Sequence, residues 1–361
     1  MTNTLDYLDW RGDLSFSSAP FCEVDMFICS QLSSPDYSGI VPETGEAVTL
    51  EDASERYFFR HPGDGADFGV LQSTSVLPML KALAASERFR KVRLCDAKNI
   101  VDQENEEQFC AVTVLLPDGT MCISFRGTDD TIIAWKEDFN LATKPVVPAQ
   151  ADALNYLKRA ASAHRGKIRV CGHSKGGNLA AYSSIVSDRA VRERIITAYN
   201  NDGPGFMSDF AGSPEYAEAA AKIYTILPQD SLVGMFFETT ANSHVIESTA
   251  HGGAAQHNPY SWTVLGTSFS HRSDLSDDAK RNNSVMREWI KGSDPDERNK
   301  FADTIFSVFE SAGTKTLTEF SENKLRHTAA VMKAIAGFDK DTRDNATMFV
   351  KRLIEAIRGE Q

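Results

Sequence analysis

The chain has 361 residues, enough for one enlarged α/β domain or about two domains of ordinary size. Hydrophobic residues make up 42% and charged residues 24%, a globular composition that excludes a disordered chain, a collagen-like chain and a coiled-coil rod. With 38 basic and 50 acidic side chains the formal charge is −12, so neither a nucleic-acid backbone nor an anionic membrane surface is expected as a partner.

The opening segment, Met-Thr-Asn-Thr-Leu-Asp-Tyr-Leu-Asp-Trp-Arg, has no basic start leading into the roughly 7–15 residue apolar core of a secretory leader. No apolar run approaches the roughly 18–20 residues that span a bilayer. The expectation is a cytoplasmic protein without stable membrane insertion. Residues 1–75 mix short apolar runs with loop signals at Ser34-Pro35-Asp36 and His61-Pro62-Gly63-Asp64-Gly65. Apolar residues at helical spacing (Leu77, Leu80, Leu83, Phe89) predict a helix from Val76 to Lys91. The run Phe109 to Leu116, the turn Pro117-Asp118-Gly119 and the run Met121 to Phe125 read as a hairpin. A helix is expected over 149–164, a buried strand over 167–171 and a helix over 178–186. Strands at 195–200 and 223–227 flank a short helix ending near 217–221. Strands alternating with helices imply a mostly parallel sheet covered on both faces. Charge density rises beyond residue 272, and helical patterns fill 280–295, 297–311 and 316–359, broken at Gly292-Ser293-Asp294-Pro295 and Gly337-Phe338-Asp339. We divide the chain into a domain at 1–271 and a helical C-terminal extension at 272–361. The extension either packs on the first domain or serves as an oligomerisation or partner arm.

The six cysteines (Cys22, Cys29, Cys95, Cys110, Cys122 and Cys171) are scattered, with no C-x-x-C pair, and read as small buried apolar residues. No H-E-x-x-H occurs. Neither a metal nor an organic cofactor is expected.

Gly172-His173-Ser174-Lys175-Gly176 matches G-x-S-x-G. The pattern is weak alone, but here it ends a β-branched strand and opens a helix. A strand-turn-helix forces Ser174 into a strained conformation that only small neighbours tolerate. Gly172 and Gly176 supply that room, and Gly177 lets the helix approach the strand. The hydroxyl then projects at the C-terminal edge of the sheet, where the helix N–H groups face any anion formed. His173, adjacent to Ser174, points away from it and reads as a support residue. The backbone N–H of Lys175 is the expected oxyanion donor, and its side chain is expected at substrate or solvent.

Ser124-Phe125-Arg126-Gly127-Thr128 off a hairpin, Trp135 and Asp138, and then Gly172 through Ala180 together resemble the class 3 lipases. The stretch Asn3 to Asp13 and the run Gln256-His257-Asn258-Pro259-Tyr260-Ser261-Trp262 look similar, more closely, to a bacterial lipase-like family of unknown function. The resemblance covers roughly residues 1–270. It implies an α/β-hydrolase fold and cleavage of carboxylic esters. It also implies that Thr128 supplies the second oxyanion donor. Arg126 reads as bracing that loop through Asp129 or Asp138 rather than contacting substrate.

In hydrolases of this kind the chain order is Ser, acid, His. Asp230, two strands beyond Ser174 and at the lipase-like spacing, is the preferred acid. Asp202 in Asn201-Asp202-Gly203-Pro204-Gly205 is the alternative, and it equally fits plain turn chemistry. Among the later histidines (His244, His251, His257, His271 and His327), His257 is preferred as base, ahead of His251 and His244. The expected catalytic set is therefore Ser174, Asp230 and His257, with Thr128 and Lys175 at the oxyanion hole and a small-molecule acyl ester as substrate, an acyl-chain ester ahead of small esters and thioesters. The apolar run Leu232 to Phe237 would line an acyl pocket, form a lid or belong to the core. A catalytically silent hydrolase fold used for binding is the competing reading.

Overall fold

A computed structural model describes residues 2–62, 74–129, 131–239 and 242–281, together with isolated positions from 292 to 343. The N-terminal segment, expected as runs and loops, folds into three helices: α1 (Thr4–Arg11), α2 (Glu23–Gln31) and α3 (Leu50–Arg60). Caps decide this where periodicity is too short to read. Asn3 accepts from the backbone N–H groups of Leu5 and Asp6 while the Asp6 carboxylate accepts from Asn3 N, and Thr49 caps α3 through Asp52 N. Helix α4 (Val76–Ala85) stops short of the expected Lys91. The Ser86 hydroxyl donates to Leu83 O and accepts from Phe89 N, so it competes for the backbone groups that another helical turn would use.

The strands are β1 (Val48–Thr49), β2 (Arg93–Asp102), β3 (Glu107–Leu115), β4 (Met121–Phe125), β5 (Ile168–His173), β6 (Ile195–Asn201), β7 (Ile223–Pro228), β8 (Ser243–Ile246), β9 (Val264–Leu265), β10 (Ser268–Phe269) and β11 (His271–Arg272). Nine form one sheet in the order β1-β2-β3-β4-β5-β6-β7-β8-β11, and β9 and β10 pair separately. Strands β4 to β8 run parallel and the flanking pairs are antiparallel, as an α/β-hydrolase sheet requires. The predicted hairpin is β3–β4. Strand β2, rich in polar residues, carried no strand signal in the sequence.

Side chains alternate across the sheet with period two. Ile123, Phe125 and Val170 join the core under α6 (Pro148–Ala163) and α7 (Lys175–Val186), which follow α5 (Ile132–Asn140) in the chain. Cys122 and Cys171 face the other core, made with α1 to α4 and with Trp262 and Phe269 near the β9–β10 ribbon. All cysteines are free thiols, and five are buried. On that second face Arg88 and Asp25 form a wholly buried ion pair, and Arg88 also donates to the carbonyls of Leu14, Ala19 and Pro20.

Among the described residues no helix is long and apolar enough to cross a membrane. The expected helices at 280–295, 297–311 and 316–359, with their breaks, lie almost wholly outside the described residues, as does His327. Three of the described positions touch the body of the fold. Phe306 is buried and sits edge-on to Phe139 at 5.4 Å, Arg298 Nε donates to Ala142 O, and Thr316 bridges Thr131. Strand β11 straddles the expected boundary at 271/272 and pairs with β8.

Candidate active site

Strand β5 ends at His173 and α7 begins at Lys175, leaving Ser174 alone in the turn at φ 57°, ψ −134°. A non-glycine residue held there is strained by about 1–3 kcal/mol and persists only where its surroundings over-determine it. Those surroundings are glycines. A Cβ on Gly172 would lie 2.2 Å from Gly176 backbone, one on Gly176 2.2 Å from Phe125 O, and one on Gly177 2.2 Å from Asn200 Oδ1. The elbow is thus wedged between β4 and β6. Ser174 is half-buried, and its N–H donates to Asn201 O at 3.0 Å, which ties the turn to the end of β6.

One residue past β6, Asp202 adopts φ 51°, a left-handed conformation that aspartate tolerates better than most residues. Its side chain is fully buried. One oxygen accepts from Ser231 Oγ at 2.5 Å and Gly234 N at 3.2 Å, and the other lies 2.7 Å from His257 Nδ1. With Nδ1–H given to the carboxylate, Nε2 is left as the basic nitrogen. His173 supports this ring: the two imidazoles lie 4.6 Å apart, and His173 Nε2 is 2.9 Å from His257 O. Burial, together with His257, pushes the His173 pKa well below the ordinary value, so its ring stays neutral. Among the described residues the Ser174 hydroxyl itself makes no hydrogen bond. In ligand-free sites that contact is often loose and tightens with substrate.

The structure brings Asp202, not Asp230, to His257, and it sets Ser174 next to His173, whose ring packs on that of His257. Asp230 instead exchanges two bonds with Gln256: its N–H donates to Gln256 Oε1 at 2.8 Å, and its carboxylate accepts from Gln256 Nε2 at 2.7 Å. It clamps the residue before the histidine. The reason lies in strand order: β6 neighbours β5 directly, so the end of β6 is nearer the elbow than the end of β7. Of the other histidines, His244 stacks on Tyr224 at 4.0 Å, His271 pairs with Glu23, and His251 is exposed. The run Leu232 to Phe237 turns through Val233–Met235 over Asp202, and Phe237 packs with Leu141 and Val147.

The segment expected to supply an oxyanion donor leaves β4 at Arg126. Arg126 pairs with Asp129 at 3.2 Å and donates to Asn99, bracing the loop. Gly127 lies against the elbow, where a Cβ would sit 2.7 Å from His173 O and 3.1 Å from Ser174 Cβ. The Thr128 hydroxyl donates to Asp138, whose pKa burial raises to about 6. The Lys175 side chain reaches neither substrate nor solvent. It runs under this loop, wholly buried, to Glu137 Oε2 at 2.7 Å and Gln108 O at 2.9 Å. Glu137 also accepts from Gln108 N and Ala149 N, so a buried ion pair with its hydrogen bonds met lies behind the elbow. Sequence reading did not find Glu137, Ser231 or Gln256, because each acts across more than 25 residues. Among the described residues no cluster of potential metal ligands lies at this rim.

A family model described as Mbeg1-like matches residues 83–307. No curated protein matches the chain. Three solved structures show a distant likeness. The crystal structure of M37 lipase is 18% identical with a TM-score of 0.34, covering 44% of this chain, which spans 62% of that lipase's length. A mutant of MDLA from Penicillium cyclopium is 11% identical with a TM-score of 0.37, covering 72% of this chain and 87% of that one. A Rhizomucor miehei lipase–propeptide complex is 12% identical with a TM-score of 0.34, covering 63% and 68%.

Proposed function

The chain belongs to the Mbeg1-like family, and we propose that it is a serine hydrolase that cleaves a carboxylic ester through an acyl-enzyme. The observation that carries this reading is the 2.7 Å contact between His257 Nδ1 and the buried Asp202 carboxylate, in a fold that holds Ser174 at φ 57° on a strand-to-helix elbow directly after His173, whose ring packs on His257. Ser174 Oγ attacks the acyl carbon. His257 Nε2 takes its proton and returns it to the leaving alcohol. Asp202 holds the ring in the tautomer that leaves Nε2 free and offsets the imidazolium charge. The backbone N–H groups of Lys175 and Thr128 receive the oxyanion, each worth on the order of 3 kcal/mol in the transition state. Water then repeats the cycle on the acyl-enzyme. The apolar run Leu232 to Phe237, folded over Asp202, favours an acyl-chain ester as substrate.

A fluorophosphonate probe tests the reading. It is expected to label the wild-type protein covalently and to leave Ser174→Ala and His257→Ala unlabelled, while a panel of p-nitrophenyl esters of graded chain length is turned over. A folded wild type that neither labels nor hydrolyses any of these esters would leave the chain as a silent hydrolase fold used for binding.

A further inference from the structure

Strand β2 contains a feature unrelated to ester hydrolysis. Cys95 pairs with Thr113 and Lys98 with Ala111, so β2 carries one residue more than β3 over this interval, a β-bulge. Within it Asp96 adopts φ 56°. Adjacent residues of a regular strand point to opposite faces. This left-handed residue cancels the alternation and turns the Asp96 carboxylate to the same side as the Cys95 thiol. Tyr156 of α6 holds the bulge in place, its hydroxyl donating to Asp96 O at 2.8 Å and meeting Thr113 Oγ1 at 2.9 Å. His164, the residue that caps the C-terminus of α6, brings its ring to the same point.

Three different donor atoms therefore converge. Cys95 Sγ lies 3.6 Å from Asp96 Oδ2 and 3.8 Å from His164 Nε2, and His164 Nε2 lies 3.7 Å from Asp96 Oδ2. The imidazole–carboxylate separation is too long for the 2.7–3.2 Å of an N–H···O hydrogen bond, so a simple hydrogen-bonded pair does not account for the arrangement. It is close to the edge of a coordination tetrahedron: with zinc–sulfur near 2.3 Å and zinc–nitrogen or –oxygen near 2.0–2.1 Å, the edges are about 3.3–3.6 Å. Cys95 and Asp96 are only 2% and 8% exposed, while the His164 side chain is 29% exposed and leaves one open side.

We propose that Cys95 Sγ, an Asp96 carboxylate oxygen and His164 Nε2 form a three-ligand site for a zinc-like divalent cation, with water in the fourth position. Thiolate, imidazole and carboxylate together suit zinc better than magnesium or calcium, which favour all-oxygen shells. On binding, the Cys95 thiol loses its proton to solvent and becomes the ligand. The cation would pin the end of α6 to the bulged strand. This is a structural role, separate from the elbow: the row Cys95–Thr113–Ile123–Val170 crosses the sheet four residues before Ser174.

Cobalt(II) and zinc(II) added to the chelator-treated full chain test the site. One equivalent of cobalt is expected to give a thiolate-to-cobalt charge-transfer band and tetrahedral d–d bands. Zinc should displace it and raise the melting temperature. Cys22→Ser should keep the bands and Cys95→Ser should lose the charge-transfer band. His164→Gln, a change at a partly exposed cap, should keep the fold by circular dichroism and weaken zinc at least ~10-fold, which decides the matter even if Cys95→Ser misfolds. A wild type without the thiolate band, a band that survives in folded Cys95→Ser, or zinc binding by His164→Gln as tight as in the wild type would each overturn the proposal.

Discussion

Asp202 and Asp230 are both carboxylates at strand ends, yet their surroundings give them different work. Asp202 is wholly buried, receives Ser231 and Gly234 on one oxygen and presents the other to His257. Asp230 is spent on Gln256. Replacing the Asp202 carboxylate by an amide removes the charge and offers a donor or a weaker acceptor to Nδ1, which favours the wrong ring tautomer. Asp202→Asn is therefore expected to lower kcat on a p-nitrophenyl ester by ~10³–10⁴ with little change in KM. Asp230→Asn, which only loosens the segment carrying the histidine, should cost less than ~10-fold. Equal losses in the two variants would reject this assignment. The residue-level signal for Asp202 was present in the sequence as an acidic residue between Asn201 and Gly203-Pro204. It was masked because the same letters spell a tight turn, and the backbone does bend there, with Gly203 N bonded to the Asn200 side chain.

The strand-turn-helix formed by β5 and α7 depends on how closely its neighbours approach. At Gly176 a methyl group would fall 2.2 Å from Phe125 O, a backbone atom of β4 that cannot move without breaking the sheet. Gly45, at φ 92° in an open loop with nothing within 4 Å of its would-be Cβ, carries only conformational strain. Gly176→Ala should accordingly leave little folded, probe-reactive protein, whereas Gly45→Ala should cost about 1–2 kcal/mol and keep labelling. Urea titration and fluorophosphonate labelling of both variants check this, and a normally labelled Gly176→Ala would contradict the packing account. The elements that sequence periodicity captured best were the buried strand β5, the hairpin β3–β4, and α6. Among those it missed, α1 to α3, α5 and β8 are too short for their period to stand out, and β2 carries polar residues on a sheet position where tertiary contacts override propensity.

For the molecule as a whole, the excess of carboxylates has a pH consequence. Burial, followed by the nearby Asp152 carboxylate and the charges of Glu137 and Asp102, raises the Glu107 pKa from 4.5 to about 7. Between those values the folded state holds a proton that the unfolded chain has released. Stability contributed by the neutral acid is thus complete below about pH 4.5 and is lost as pH rises toward 7, where the ionised group is penalised. Glu107→Gln should raise the melting temperature at pH 8 and flatten its decline between pH 5.5 and 8. Calorimetry across that range measures it, and a variant that melts lower than wild type at pH 8 would contradict the sign.

The sequence alone determined what is local in this protein: the glycine-flanked serine between a β-branched strand and a helix, the hairpin, and the alternation that makes the sheet parallel at its centre. These depend on residues a few positions apart, whose steric and hydrogen-bonding preferences act before the chain is assembled. Only the tertiary structure decided which acid meets His257, where the Lys175 side chain goes, and that Cys95, Asp96 and His164 converge. Each of these depends on which elements are neighbours in space, and the first and last also on a single left-handed residue, Asp202 or Asp96; a linear spacing records neither.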